Sequence, residues 1–136
     1  METTTISERF SEKAIYKVFK AEIPLKLPSC NDYIRECRRN KFAAAKMKRD
    51  TENMIGGYIA ELPHFDKPVK IRFLWIEATK RRDIDGVSFG KKFILDALVK
   101  FGKLTDDNRK YVTAFTDEFD YGVENKVILE IMEVNE

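Results

Sequence analysis

Long apolar runs are missing from this chain of 136 residues. The longest are of the order of Phe73-Leu74-Trp75-Ile76, far short of the ~20 residues that a bilayer-spanning helix needs, so no membrane span is expected. The opening Met1-Glu2-Thr3-Thr4-Thr5 is polar where a secretory leader would turn basic and then greasy, and no export signal is expected either. Cysteine is scarce: Cys30 and Cys37 alone cannot staple a disulfide-built scaffold, and they predict reduced thiols in a cytoplasmic protein. Histidine occurs once, as His64 beside Pro63, which excludes a histidine-rich zinc centre and leaves a Ser-His-Asp triad a single candidate base. No serine stands in a nucleophile-elbow setting. Gly90-Lys91-Lys92 lacks the preceding glycines of a phosphate-cradling loop, and Asp83-Ile84-Asp85-Gly86 lacks the glycine spacing of an EF-hand. A dominant charge is lacking too. With 25 basic and 23 acidic residues the formal charge is only +2, so any affinity for nucleic acid must come from local clustering.

What is present reads as one folded domain: 43% hydrophobic and 35% charged residues exclude both a disordered chain and a membrane one. Residues 1–11 are polar and without sustained period, which predicts a flexible N-terminal arm ahead of a domain at 12–136. Alternation over residues 14–25 predicts a strand that Pro24 and Pro28 end. Residues 31–62 are rich in alanine and free of proline up to that point, predicting a long helix. A second strand is expected at 69–77, with Ile71, Phe73 and Trp75 on one face and Lys70, Arg72 and Leu74 on the other. Ile94, Ala97, Leu98 and Phe101 carry the spacing of one helical stripe, and Gly102 is a natural stop. Strands at 109–119 and 126–134 complete the order β-α-β-α-β-β, an α+β domain in which helices cover a mixed sheet.

Charge is polarised along that order. Residues 35–50 hold seven cations (Arg35, Arg38, Arg39, Lys41, Lys46, Lys48 and Arg49) against two acids, whereas residues 116–136 hold seven acids against Lys126 alone. Among the remaining acids, Asp83 and Asp85 flank Ile84 just after the second strand. In extended backbone, residues i and i+2 point the same way, so both carboxylates would face one side. Two ionised carboxylates at close range repel unless a cation lies between them, and hard oxygen ligands suit magnesium or manganese. Lys80, Arg81 and Arg82 lead into this pair and Lys91 and Lys92 follow it. Carboxylates for a metal and cations for phosphate are the components of a phosphodiester hydrolase. Plainer readings exist for each part. Asp-x-Asp is also a capping or turn pattern, Asp106-Asp107 is also a polar turn, and Lys92 with Asp96 is also an i, i+4 ion pair worth ~0.3–0.5 kcal/mol. The cations around Arg38 and Arg49 equally suit the wet face of a helix.

Taken in order, these stretches resemble the RusA family of Holliday junction resolvases, small nucleases of phages and prophages. The resemblance lies in Arg81-Arg82-Asp83-Ile84-Asp85, Lys92, Asp96-Ala97-Leu98 and Asp106-Asp107, together with the earlier Pro28-Ser29-x-Asn31-x-Tyr33. It implies that Asp83, Asp85 and Asp107 hold a magnesium or manganese ion and that Lys92 is the catalytic lysine. It also implies a homodimer that cuts symmetrically related strands of a four-way junction in DNA recombination and repair. The chain departs from the family pattern in having Gly86 where the family has asparagine, and in a longer interval from Asp85 to Asp96 that leaves Lys91 as a rival to Lys92.

The expectation from sequence is therefore a metal-dependent endodeoxyribonuclease acting on branched DNA. Its backbone-binding cations would be Arg38, Arg39, Lys46, Arg49, Lys80, Arg81, Arg82 and Lys91. A junction- or fork-binding module without catalysis is the alternative, motivated by Gly86 and the lengthened loop. A protein-interaction domain whose acidic C-terminal half meets a basic partner is the third.

Overall fold

The computed structural model describes residues 4–8 and 15–135, with side-chain environments from Lys17 to Glu133. Among these residues the chain runs β1 (Thr4–Glu8), β2 (Ile15–Ile23), α1 (Cys30–Arg39), α2 (Lys41–Tyr58), β3 (Val69–Glu77), α3 (Ile84–Ser88), α4 (Lys91–Lys100), β4 (Val112–Tyr121) and β5 (Lys126–Asn135). The strands form a mixed sheet in the order β1-β2-β5-β3-β4. All neighbours are antiparallel except β3 and β4, which the α3–α4 crossover makes parallel. This is the single α+β domain that the alternation of periods indicates.

β3 shows why the sheet has one helical side. Its burial alternates strictly from Val69 to Glu77, placing Val69, Ile71, Phe73 and Trp75 under the helices. Cross-strand pairing aligns Ile71 with Ile131, Phe73 with Leu129 and Trp75 with Val127, and next door Phe19 with Ile131 and Ala21 with Leu129. Against this face pack Ile55 of α2, its C-cap residue Ile59, and Phe93, Ile94, Ala97 and Leu98 of α4. Each large side chain buried this way contributes about 1.5–3 kcal/mol. Phe101, expected on the same stripe, instead sits at the C-cap of α4, 40% exposed, with its ring against Gly56. The helix stops there in a Schellman motif: Gly102 N–H donates to Val99 O (3.1 Å), Lys103 N–H donates to Leu98 O (2.8 Å), and Gly102 has φ +77°.

Elsewhere the structure corrects the sequence reading. The long helix expected over residues 31–62 is broken at Asn40, whose backbone is extended (φ −174°, ψ 165°). Asn40 serves both helices, donating its N–H to Glu36 O (3.3 Å) and accepting from Ala43 N–H through its side chain (2.7 Å). The flexible arm expected over residues 1–11 contains β1, paired antiparallel with β2 so that Thr4 lies opposite Phe19; the rest of that arm lies outside the described residues. A short helix, α3, occupies the segment expected to stay extended around Asp83 and Asp85.

The link from β4 to β5 steps over the end of β3. Gly122 N–H donates to Glu77 O (3.0 Å), and Ala78 N–H donates to Asn125 Oδ1 (2.9 Å). A Cβ at Gly122 would come within 2.9 Å of Ile76 Cγ2, so this crossing needs a residue without a side chain. No helix among the described residues is long and apolar enough to cross a membrane.

Candidate metal and nucleic-acid site

Asp83 and Asp85 lie where the loop after β3 turns into α3. Asp83 is the N-cap residue, with extended backbone and no side-chain capping bond. Asp85 lies in the first helical turn, and its Oδ1 accepts from the Gly86 N–H (2.8 Å). The helix therefore replaces the strand-like alternation that would have aimed both carboxylates one way. Both residues remain exposed and share a concavity with Ser29, Asn31, Arg81 and Gly86.

Arg82 anchors that loop. Its guanidinium grips both Glu77 oxygens (Nε–Oε1 2.9 Å, Nη2–Oε2 2.7 Å) and donates to Leu27 O (2.9 Å). The two side chains are only 15% and 12% exposed, so Arg82 is committed to the fold and not to a DNA backbone. Across the concavity, Ser29 caps α1 in a reciprocal box: its N–H donates to Asp32 Oδ2 (2.9 Å) and its hydroxyl accepts from the Asp32 N–H (3.2 Å). Burial pushes the Asp32 carboxyl up, but the hydrogen bonds from Ser29 and Arg35 outweigh it and hold the group below its ordinary value of 3.8.

Asp107 belongs to a second cleft, lined by Lys48, Glu52, Asp96, Lys100 and Asp106. Its carboxyl is held above the ordinary 3.8 by burial first, and then by the negative charges of Asp96 and Asp106. Lys48 ties the cleft together, pairing with buried Glu52 and lying 3.2 Å from Asp96 Oδ2. Burial alone would lower the Lys48 ammonium, but hydrogen bonds to Glu52 and Asp96 raise it above its ordinary value. Lys100 approaches Glu52 at 3.7 Å, and Lys92 approaches Asp96 Oδ2 at 3.7 Å.

The structure thus brings Asp83 to Asp85 and Asp107 to Asp96, in two separately lined clefts. Among the described residues, no group of three or more His, Cys, Asp or Glu is assembled to hold a metal ion. Donor chemistry still fits a hard divalent cation at Asp83 and Asp85, which are exposed carboxylates with no ion-pair partner among the described residues. The rival lysines separate clearly. Lys91 is 20% exposed, donates to Asp117 Oδ2 (2.6 Å) and lies over the Phe115 and Phe73 rings (4.7 and 5.4 Å). Lys92 is 45% exposed and faces Asp96. Lys91, like Arg82, is occupied within the fold.

The other expected DNA contacts are at the surface. Arg38, Arg39, Lys46 and Arg49 are exposed on α1 and α2, and Lys80 and Arg81 are exposed on the loop before α3. Arg39 pairs with Glu36 (3.1 Å), Lys46 with Asp50 (2.5 Å), and Lys80 lies over the Tyr121 ring (5.1 Å). Such exposed pairs are worth ~0–1 kcal/mol, so a phosphate could replace the carboxylate at little cost. Sequence reasoning missed Glu77 and Glu52, the buried acids that organise the two clefts. For Glu77 a signal existed: period-two counting from Val69 puts it on the core face, where a carboxylate needs a cation. Neither a scan against protein-family models nor a search of curated proteins finds a match to this chain.

Proposed function

We propose that this chain is a metal-dependent endodeoxyribonuclease that cuts branched DNA, the activity implied by its resemblance to the RusA resolvases. One observation supports this above others: Asp83 and Asp85 stand exposed and unpaired by cations beside Arg81, on a loop anchored by Arg82 to the end of β3. Asp83 and Asp85 would hold magnesium or manganese; Asp107, which the resemblance also implies as a ligand, lines the other cleft. The ion, when bound, supplies activation of water and neutralisation of phosphoryl charge. Lys92 is the lysine available to meet a phosphoryl oxygen, since Lys91 is held by Asp117. The cations of α1 and α2 grip the backbone, giving salt-dependent affinity with little reading of sequence. A two-fold homodimer in the cytoplasm would present two such sites to the equivalent strands of a junction.

The test is cleavage of a labelled four-way junction with magnesium or manganese, by wild type and by Asp83→Asn. Symmetric products from wild type and none from the variant are expected; no wild-type products, or undiminished cleavage by the variant, overturns the reading. A second reading is a module that binds junctions without cutting. It is favoured by the division of the aspartates between two clefts, and tight junction binding with no products under either metal would establish it.

A further inference from the structure

Phe42, in the first turn of α2, is 75% exposed. Nothing in the core explains an aromatic residue there, because the buried residues of α2 begin at Ala44 and continue at Thr51, Glu52 and Ile55. The Lys41 ammonium stands 5.5 Å from the ring centroid, and Arg39, Lys46 and Met47 line the same concavity between the end of α1 and the start of α2, the two cations held there in exposed pairs with Glu36 and Asp50 that a phosphate can displace at little cost. The backbone that carries the ring is held in place: Asn40 caps both helices, so the first turn of α2 is fixed relative to the last turn of α1.

We infer that Phe42 is a stacking platform for a nucleobase exposed at a branch point, with the flanking cations holding the phosphates on either side of it. This rests on the branched-DNA reading and adds to it the residue that distinguishes a branch from continuous duplex. A base in duplex already has both faces covered by its neighbours. A base at a junction or fork has a free face, and an exposed aromatic ring can cover it. Aromatic rings among cations are the working parts of sites that bind unpaired nucleic acid.

The experiment compares Kd for a four-way junction and for linear duplex of equal length, without divalent metal, over a range of salt. Wild type is expected to prefer the junction. Phe42→Ala should lose about tenfold or more on the junction, with the linear-duplex affinity and the salt slope unchanged, and Phe42→Trp should restore the preference. Equal affinities of Phe42→Ala and wild type for the junction would overturn the inference. So would an equal loss on both DNAs, or an oligomer of wild type that Phe42→Ala dissolves in sedimentation. Failure of wild type to bind DNA at all would sink the branched-DNA reading as well. A failure confined to the variant comparison sinks the Phe42 assignment alone.

Discussion

Replacing Arg82 with alanine should be among the most damaging single changes outside the apolar core. Three hydrogen bonds depend on the guanidinium, two to Glu77 and one to Leu27 O. Glu77 is only 9% exposed as a residue, so its carboxylate would be left largely dry and without a counter-charge. Breaking a buried pair in this way costs about 3–5 kcal/mol, a large share of the ~5–15 kcal/mol that holds a typical domain together. In urea, with a slope of about 2 kcal/mol/M, the unfolding midpoint should fall by roughly 2 M with the slope unchanged. Arg82→Lys should recover only part of this, because an ammonium cannot present the bidentate fork and reach Leu27 O together. In a double-mutant cycle with Glu77→Ala, the two losses should be strongly non-additive. A loss below about 1 kcal/mol for Arg82→Ala would mean that the pair behaves as an exposed one. The loop carrying Asp83 would then not be anchored as described.

Other outcomes follow from single positions. Ser29→Ala should cost about 1 kcal/mol in thermal or urea unfolding through loss of the α1 cap. Because the Asp32 carboxyl is held below 3.8 in the folded chain, its contribution is present above that pH and disappears as pH falls through the lowered native value; Asp32→Asn should flatten this part of the acid limb. Lys91→Ala should destabilise the fold by uncovering Asp117 beside Trp75 Nε1. Lys92→Ala should leave unfolding nearly unchanged and, on the proposed nuclease reading, lower junction cleavage about a hundredfold. Gly90→Ala should cost about 1–3 kcal/mol, because its Cβ would lie 3.0 Å from Leu27 Cβ and 3.3 Å from the Trp75 ring. Gly57→Ala, with nothing within 4 Å, should instead stabilise by about 0.4–1 kcal/mol.

The parts of the fold that were legible are those where periodicity is strong. β3 occupies Val69–Glu77 as expected because its apolar residues alternate without a slip, and α4 follows its stripe of Ile94, Ala97 and Leu98. The break at Asn40 was hidden because it uses neither proline nor glycine: a capping asparagine is visible only once the chain has turned. β1 was hidden because short polar strands carry little pattern, and its partner β2 supplies the order. Asp83 and Asp85 were identified as neighbours, and they do share a concavity. Their placement on a helical turn was not foreseen, because Ile84 to Ser88 offers too short a stretch for a 3.6-residue period to show. Sheet order and the two-cleft division depend on contacts distant in the chain and have no local signature.

Charge illustrates how far pairing can change what a sequence suggests. Residues 116–136 carry a heavy acidic excess, which by itself would repel DNA and invite a basic protein partner. In the structure much of that charge is answered internally. Asp117 accepts from Lys91 and Trp75, while Arg72 bridges Glu118 on β4 (2.5 Å) and Glu130 on β5 (3.0 Å). The cations of α1 and α2 are balanced differently, through exposed pairs such as Arg39–Glu36 and Lys46–Asp50 that exchange partners cheaply in water. Two cations, Lys91 and Arg72, thus answer Asp117, Glu118 and Glu130, so a polyanion approaching the protein meets a sheet edge less acidic than the sequence suggests and a helical pair whose positive charge remains available. That asymmetry weakens the motive for a basic protein partner at the acidic C-terminal half. It leaves the α1–α2 surface, with Phe42 at its centre, as the face on which DNA binding is to be sought.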